Sequence, residues 1–117
     1  MKKIIITNNP LVQKKITTYE VIYQKVSYIE VLKLVRDRIH LGHSLLTHPL
    51  AGSVKPGETP FRTVILSAEK GELDLKALSL IEESIETCKK FDFNKNRNDD
   101  VLSDLRLIDY NLIFGCY

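Results

Sequence analysis

Two polar clusters in this chain carry side chains that could bind a ligand. Thr7, Asn8 and Asn9 follow an apolar run, and Thr47 and His48 open a second polar stretch that extends to Pro60. Residues 49–60 hold two of the five glycines and three of the four prolines. A loop this long without helical periodicity is more often functional than structural in a small domain. We therefore predict that seven residues bind a ligand: Asn8, Asn9, Thr47, His48, Gly52, Ser53 and Lys55.

The chemistry of these residues favours a small anion. Asn9 stands where a helix begins, and the free N–H groups of a helix start attract negative charge. Gly52, Ser53 and Lys55 could add amides, a hydroxyl and an ammonium group. The chain has neither G-x-x-x-x-G-K-[ST] nor G-x-G-x-x-G, so no nucleotide cofactor is expected. Alternatively, Asn8 and Asn9 only form a capped turn.

Catalysis by His48 is the alternative function. His48 could act as an acid–base on an anionic metabolite, paired with the hydroxyl of Thr47 or Ser53. Glu58 is the only carboxylate nearby in the sequence, so no obvious group orients the imidazole. A simpler role for His48 is a hydrogen bond that holds the loop.

The three histidines do not have the spacing of a metal site. His40 falls in the last turn of a predicted helix, and His43 and His48 flank a predicted strand. Side chains five residues apart on a strand point to opposite faces. The sequence therefore predicts no bound metal and no other cofactor.

Strand and helix patterns alternate along the chain. Short apolar runs, of which the first is rich in β-branched residues, predict strands over residues 3–7, 19–24, 44–47 and 63–67. Helices are predicted over residues 11–17, from Tyr28 to a stop at Gly42, from Leu75 to about Lys90, and from Asp99 to a stop at Gly115. This order predicts a single α/β domain over residues 1–117, with a small, mostly parallel sheet of about four strands flanked by helices. Parallel strands over residues 3–7 and 44–47 would bring the two polar clusters to one edge.

The helices carry apolar stripes that predict the core. A capping box, Ser27 with Glu30, starts the second helix. Its predicted buried face consists of Tyr28, Val31, Leu32, Val35 and Ile39. The third helix has a stripe of Leu75, Leu78, Ile81, Ile85 and Cys88. The fourth helix has a stripe of Val101, Leu105, Ile108 and Leu112.

Composition excludes several classes of protein. The chain has 117 residues, 44% of them hydrophobic and 27% charged, with a net charge of +2. Scattered basic residues argue against nucleic acid, and no apolar run could span a membrane. The short apolar run after Lys2 and Lys3 is no secretion signal, so we expect a cytoplasmic protein with reduced thiols. A homodimer could form if residues 63–67 were an exposed sheet edge.

Three motif blocks resemble a known family. They are Ile6-Thr7-Asn8-Asn9-Pro10-Leu11-Val12, the block from Gly42 to Pro56 that contains Leu45-Leu46-Thr47-His48-Pro49, and Glu58-Thr59-Pro60. The chain resembles the GrdX family, small proteins encoded beside components of glycine, sarcosine and betaine reductases in amino-acid-fermenting anaerobes. The resemblance implies a cytoplasmic accessory protein with a reductase component as its partner. It implies no reaction.

Overall fold

The computed structural model describes residues 2–50 and 55–115. Three strands and four helices occur in the described parts: β1 (Lys3–Thr7), α1 (Pro10–Lys15), β2 (Glu20–Tyr23), α2 (Tyr28–His40), β3 (Thr63–Ser67), α3 (Leu75–Cys88) and α4 (Asp99–Phe114). None of the described helices is long and apolar enough to cross a membrane. The predicted α/β class is confirmed.

The sheet has three strands in the order β2-β1-β3. β1 pairs with β2 in parallel, where Ile5 faces Val21. β1 pairs with β3 in the antiparallel direction, where Ile5 faces Ile65. The prediction of about four mostly parallel strands is therefore wrong for the described residues. Helix α1 returns the chain to the end of the sheet where β1 began, so β2 runs parallel to β1. The chain enters β3 at the other end, where β1 finishes, so β3 runs antiparallel to β1.

Residues 44–47 were predicted as a strand, but they form only an isolated bridge, between Leu45 and Leu66. The Ile65 N–H of β3 does not donate to a backbone carbonyl of this segment. It donates instead to the Thr47 hydroxyl, at 3.0 Å. The Ser67 N–H donates to the Ser44 carbonyl at 2.9 Å. The segment therefore runs antiparallel to β3 and covers its outer edge. That edge is not the exposed strand that a dimer was expected to use.

Alternation along the strands divides the core into two clusters. Ile4 and Ile6 of β1 face α2 and α3 on one side of the sheet. Ile5 faces α1 and α4 on the other side, where it packs with Val12 and Ile65. The protein is thus a three-layer arrangement with the sheet in the middle, as successive strand side chains point to opposite faces.

Local sequence signals set the limits of α2 as predicted. The Ser27 hydroxyl accepts the Glu30 N–H at 3.2 Å, and the predicted apolar face is buried along its whole length. Gly42 then adopts a φ of 103°, which side chains rarely tolerate. A Cβ atom at Gly42 would also collide with the carbonyl oxygen of Gly71. The chain can therefore turn sharply only because position 42 is glycine.

The prediction for α4 is wrong about the face that is buried. Val101, Ile108 and Leu112 are 42%, 44% and 39% exposed. Asp109 is buried instead, at 3% exposure. Successive residues of a helix lie about 100° apart, so the helix is turned by roughly a quarter turn from the predicted orientation. The α3 stripe is correct from Ile81 onward, while its first residue, Leu75, is exposed.

Candidate functional site

A buried polar network lies at the carboxyl end of β1, where the sequence predicts a site. The Thr63 hydroxyl donates to Asp109 Oδ2 at 2.7 Å. Because that bond uses the only hydroxyl hydrogen of Thr63, the 2.7 Å contact between the two threonine hydroxyls has Thr7 as donor. The Thr7 oxygen in turn accepts the Asn9 N–H at 2.9 Å. This chain of hydrogen bonds joins both strands to α4.

Asn9 is a structural residue in this network. It is the N-cap of α1, and its Oδ1 accepts the Leu11 N–H at 3.0 Å. Its Nδ2 donates to the Arg106 carbonyl at 2.8 Å and to Asp109 Oδ2 at 3.0 Å. The side chain is fully buried, with both amide hydrogens and its oxygen engaged. Asn9 therefore fastens α1 to α4.

Asn8 joins three other segments at the same edge. Its Oδ1 accepts the Arg62 N–H at 2.9 Å. Its Nδ2 donates to the carbonyls of Val26 and Pro60, both at 2.9 Å. The side chain is 6% exposed and forms part of the wall of a cavity. Its amide hydrogens are both used inside the protein, so Asn8 shapes that wall.

Arg62 places a positive charge beneath the loop, although its side chain is only 3% exposed. One terminal nitrogen donates to the Pro49 carbonyl at 3.4 Å, and the other lies 3.5 Å from Asp109 Oδ1. The guanidinium carbon also stands 5.6 Å from the centre of the Tyr28 ring. Burial raises the pKa of the Tyr28 phenol to about 12, and the neighbouring Arg62 charge opposes that rise.

The sequence reasoning missed both Arg62 and Asp109. Asp109 lies between Ile108 and Tyr110 in α4, and Arg62 directly precedes β3. The signal that could have revealed them is a charged residue, Asp109, next to the apolar residues of an amphipathic helix. A carboxylate that is buried there needs a partner of opposite charge, because charged side chains are seldom buried unpaired.

The predicted loop residues occupy different environments. The Thr47 hydroxyl is bonded to β3, as described above. His48 is exposed, and its Nδ1 lies 3.0 Å from the Leu50 N–H, which donates to it. Lys55 is exposed. Gly52 and Ser53 lie outside the described residues.

The second half of the loop rests on the connector between α3 and α4. The Arg97 guanidinium donates to the Gly57 carbonyl at 2.6 Å. Lys95 forms an ion pair with Glu58 at 2.9 Å, and this hydrogen bond lowers the pKa of the Glu58 carboxyl. Gly57 has a φ of 90°, and an added Cβ would come within 3.0 Å of the Asp92 carbonyl oxygen. Glycine therefore allows the loop and the connector to approach closely.

A cavity of about 230 Å³ opens where this connector, the Asn8 edge and the start of α2 meet. Aromatic and apolar side chains form most of its lining, and polar residues complete it. The lining residues are Asn8, Lys25, Val26, Ser27, Tyr28, Pro60, Phe61, Phe93 and Asn94. The Tyr28 and Phe93 rings pack against each other with their centres 5.1 Å apart. The cavity thus has packed aromatic rings on one wall and a single lysine, Lys25, in its lining.

The histidines are separated in the fold. His43 is 2% exposed, and its Nδ1 lies 2.8 Å from the Ser67 carbonyl oxygen. His40 and His48 are exposed. Within residues 2–50 and 55–115, no group of three potential ligands could hold a metal ion. The absence of a metal remains a prediction, since no measurement of metal content tests it.

Comparison with known proteins identifies the family. The model of the GrdX-like protein family matches residues 4–116, which is nearly the whole chain. The chain belongs to this family. The resemblance noted from its motif blocks is thereby confirmed. No curated protein and no solved structure matches it significantly.

In this GrdX-like chain, the predicted binding residues divide by role. Asn9 builds the interior, Asn8 forms part of a cavity wall, and Thr47 secures a loop to β3. His48 and Lys55 are exposed to solvent. Ligand binding by these residues stays a prediction. The arrangement nevertheless provides a cavity beside the predicted edge that could receive a small molecule.

Proposed function

We propose that this protein is a ligand-binding accessory protein of the glycine reductase system, with its ligand in the cavity beside Asn8. Membership of the GrdX-like family supports the association with glycine reductase. The cavity at the predicted sheet edge supports a binding role. A reductase component is the protein partner that this association suggests.

The aromatic wall of the cavity is the observation that carries the proposal. Phe61 and Phe93 are partly exposed and supply apolar surface, the buried Tyr28 ring packs against Phe93, and Lys25 supplies a positive charge. Ligand sites commonly combine an apolar lining with a few polar groups that fix orientation. A volume of about 230 Å³ is below the range of about 300–1,000 Å³ of drug-sized sites, which favours a metabolite.

The ligand class follows from this combination. Lys25 favours a negatively charged group, and the rings favour an apolar body attached to it. A short organic carboxylate has both features. The Ser27 oxygen already accepts the Glu30 N–H, yet its own hydrogen remains able to donate to a carboxylate.

Binding is better supported than catalysis by His48. Since Nδ1 of His48 accepts the Leu50 N–H, the neutral ring carries its proton on Nε2. A general base needs a free nitrogen lone pair, and this tautomer leaves none. The ring is also exposed, and no hydrogen bond from it to a carboxylate occurs among the described residues. His48 therefore holds the loop at Leu50.

A ligand titration tests the proposal directly. We expect acetate, glycine or a short-chain acyl carboxylate to raise the melting temperature and to show saturable binding in calorimetry. Lys25→Gln should weaken binding mainly at low ionic strength, because salt screens the lysine charge. Phe61→Leu should weaken it at every ionic strength, because it removes aromatic contact area.

Lys76→Gln is the matched control for the lysine variant. Lys76 is an exposed lysine of α3 and does not line the cavity. Its substitution removes the same charge and should leave binding unchanged. The proposal fails if no carboxylate of the panel binds, or if Lys25→Gln and Phe61→Leu both bind as the native protein does.

A further inference from the structure

A second cavity lies at the opposite end of the sheet. It measures about 290 Å³ and is lined by Lys2, Lys3, Thr18, Tyr19, Glu20 and Ala68. It is open to solvent and lies beside the ends of all three strands, because β1 begins at Lys3, β2 begins at Glu20 and Ala68 follows β3. Five residues of extended chain, about 17 Å, separate Lys3 from Asn8. The two cavities are therefore separate sites.

Backbone pairing holds this end of the sheet in place. The Ala68 N–H donates to the Lys2 carbonyl at 3.1 Å, which extends the β1–β3 ladder beyond Lys3. On the other side, Glu20 is in register with Ile4 in the parallel β1–β2 pair. Lys3 and Glu20 thus belong to the sheet, and Lys2, Tyr19 and Ala68 directly adjoin it. A site built on such elements holds its geometry better than a site on a loop.

The cavity lining carries a net positive charge. Two lysines and one glutamate give a formal charge of +1 (two positive, one negative). Neither lysine forms an ion pair with a carboxylate of the described residues. The Lys3 ammonium lies 5.4 Å from the centre of the Tyr19 ring, which is 41% exposed. Both ammonium groups therefore keep their capacity to bind an anion.

The available donors match an oxyanion with several acceptor oxygens. Lysine is a compact charge that can donate three hydrogen bonds. Thr18 and Tyr19, which also line the cavity, each carry a hydroxyl group. A carboxylate has only two oxygens, whereas a phosphate group presents at least three and a higher charge. We propose that this cavity binds a phosphate group, either as inorganic phosphate or as part of a small phosphorylated molecule.

Glu20 gives the proposal a second consequence. Its carboxylate lines the same cavity and repels an anion there. The site is therefore suited to moderate and reversible binding. Neutralising Glu20 should strengthen binding, while neutralising the lysines should weaken it. A surface that attracts anions only through the overall charge of the protein would not depend on these particular residues.

The experiment titrates untagged protein with inorganic phosphate and, separately, with a phosphomonoester such as glycerol phosphate. Binding is followed by amide chemical shifts in ¹⁵N-labelled protein, which locate the site. We expect saturable shifts at Thr18, Tyr19, Glu20 and Ala68. The double variant Lys2→Gln/Lys3→Gln should bind roughly tenfold more weakly, since two charge-assisted donors are lost. Glu20→Gln should bind about two- to fivefold more tightly.

Two controls make the outcome decisive. Lys76→Gln removes one exposed charge elsewhere, and Lys25→Gln removes the lysine of the first cavity; both should leave phosphate affinity unchanged. Tighter binding of the ester would identify a phosphorylated metabolite, and equal binding would identify phosphate itself. The proposal is overturned if neither compound gives saturable shifts at these residues, or if the double lysine variant binds as well as Lys76→Gln.

Discussion

Asp109→Ala should be among the most destabilising substitutions on helix α4. Asp109 is 3% exposed, and its Oδ2 accepts hydrogen bonds from Thr63 and Asn9. Its Oδ1 faces Arg62 at 3.5 Å. Alanine would leave a buried donor on Thr63 without its acceptor and would remove the nearest carboxylate from a buried guanidinium.

The expected cost follows from these contacts. Removing one partner of a buried ion pair usually costs about 3–5 kcal/mol. Hydrogen bonds to a charged acceptor are worth about 1.5–3 kcal/mol each, and two are lost here. The Arg62 contact is long, and Asn9 keeps its bond to the Arg106 carbonyl. The Thr63 hydroxyl can turn to donate to Thr7, whose own hydrogen can then go to the Arg62 carbonyl at 3.3 Å, so we expect about 3 kcal/mol.

Asp109→Asn separates the hydrogen bonds from the charge. An asparagine oxygen in the Oδ2 position can still accept from Thr63 and Asn9. Its NH₂ group would then face the Arg62 donor, so part of the stabilisation is lost. We expect about 1–2 kcal/mol for this variant, because a neutral acceptor forms weaker hydrogen bonds than a carboxylate.

Urea unfolding of each variant, followed by circular dichroism, measures these values. Asp104→Ala is the matched control, because Asp104 is an exposed aspartate on the same helix. Its free energy of unfolding should change by less than about 0.5 kcal/mol. If Asp109→Ala costs no more than Asp104→Ala, the buried network does not stabilise the fold and the reasoning above is wrong.

Two further predictions concern the core and the dependence on pH. Ile81→Ala should lower the free energy of unfolding by about 2–5 kcal/mol through cavity formation. Lys55→Ala on the exposed loop should change it by less than about 0.5 kcal/mol in the same urea assay. A large loss from Lys55→Ala would mean that this lysine has a buried structural partner. Burial raises the pKa of the Cys88 thiol from 9.0 to about 11 and that of the Tyr28 phenol from 10.0 to about 12. As the pH rises, the unfolded chain therefore releases these protons before the folded protein does. The free energy of unfolding should fall as the pH rises from about 9 to 12. Unfolding at pH 8 and pH 11 should show a smaller loss for Cys88→Ala than for the native protein, and an equal loss in both would contradict the assignment.

Features that depend on neighbouring residues could be read from the sequence. The Ser27 cap, the apolar face of α2 and the stop at Gly42 each rest on a few positions along one helix, and all three are confirmed. The same holds for β1 and for the N-cap at Asn9. Such signals are local because capping and helical periodicity act within one or two turns.

Features that depend on contacts between distant segments could not be read. Residues 44–47 were predicted as a strand from their apolar pair, Leu45 and Leu46, but they form only an isolated bridge to β3. One of their hydrogen bonds to β3 comes from the Thr47 hydroxyl and not from the backbone. The amide hydrogens of Asn8 are directed to Val26 and Pro60, which lie 18 and 52 positions away and are not indicated by any local pattern. No pattern in a single sequence shows which distant polar residues will be in contact in the folded chain.

The orientation of α4 shows how such a distant contact can override an apolar stripe. The stripe of Val101, Ile108 and Leu112 would bury more hydrocarbon if it faced the sheet, and about two-fifths of each residue is left exposed. Turning the stripe inward would carry Asp109 away from Thr63 and Arg62 and leave the buried guanidinium without its carboxylate. Covering the exposed two-fifths of these three side chains would contribute about 0.6–1.2 kcal/mol each, or about 2–4 kcal/mol in all, because full burial of such a side chain is worth about 1.5–3 kcal/mol. Breaking a buried ion pair costs about 3–5 kcal/mol, and α4 would also lose the contacts of Tyr110 and Ile113 with the second core cluster. The charge at Asp109 therefore decides which face of α4 meets the sheet.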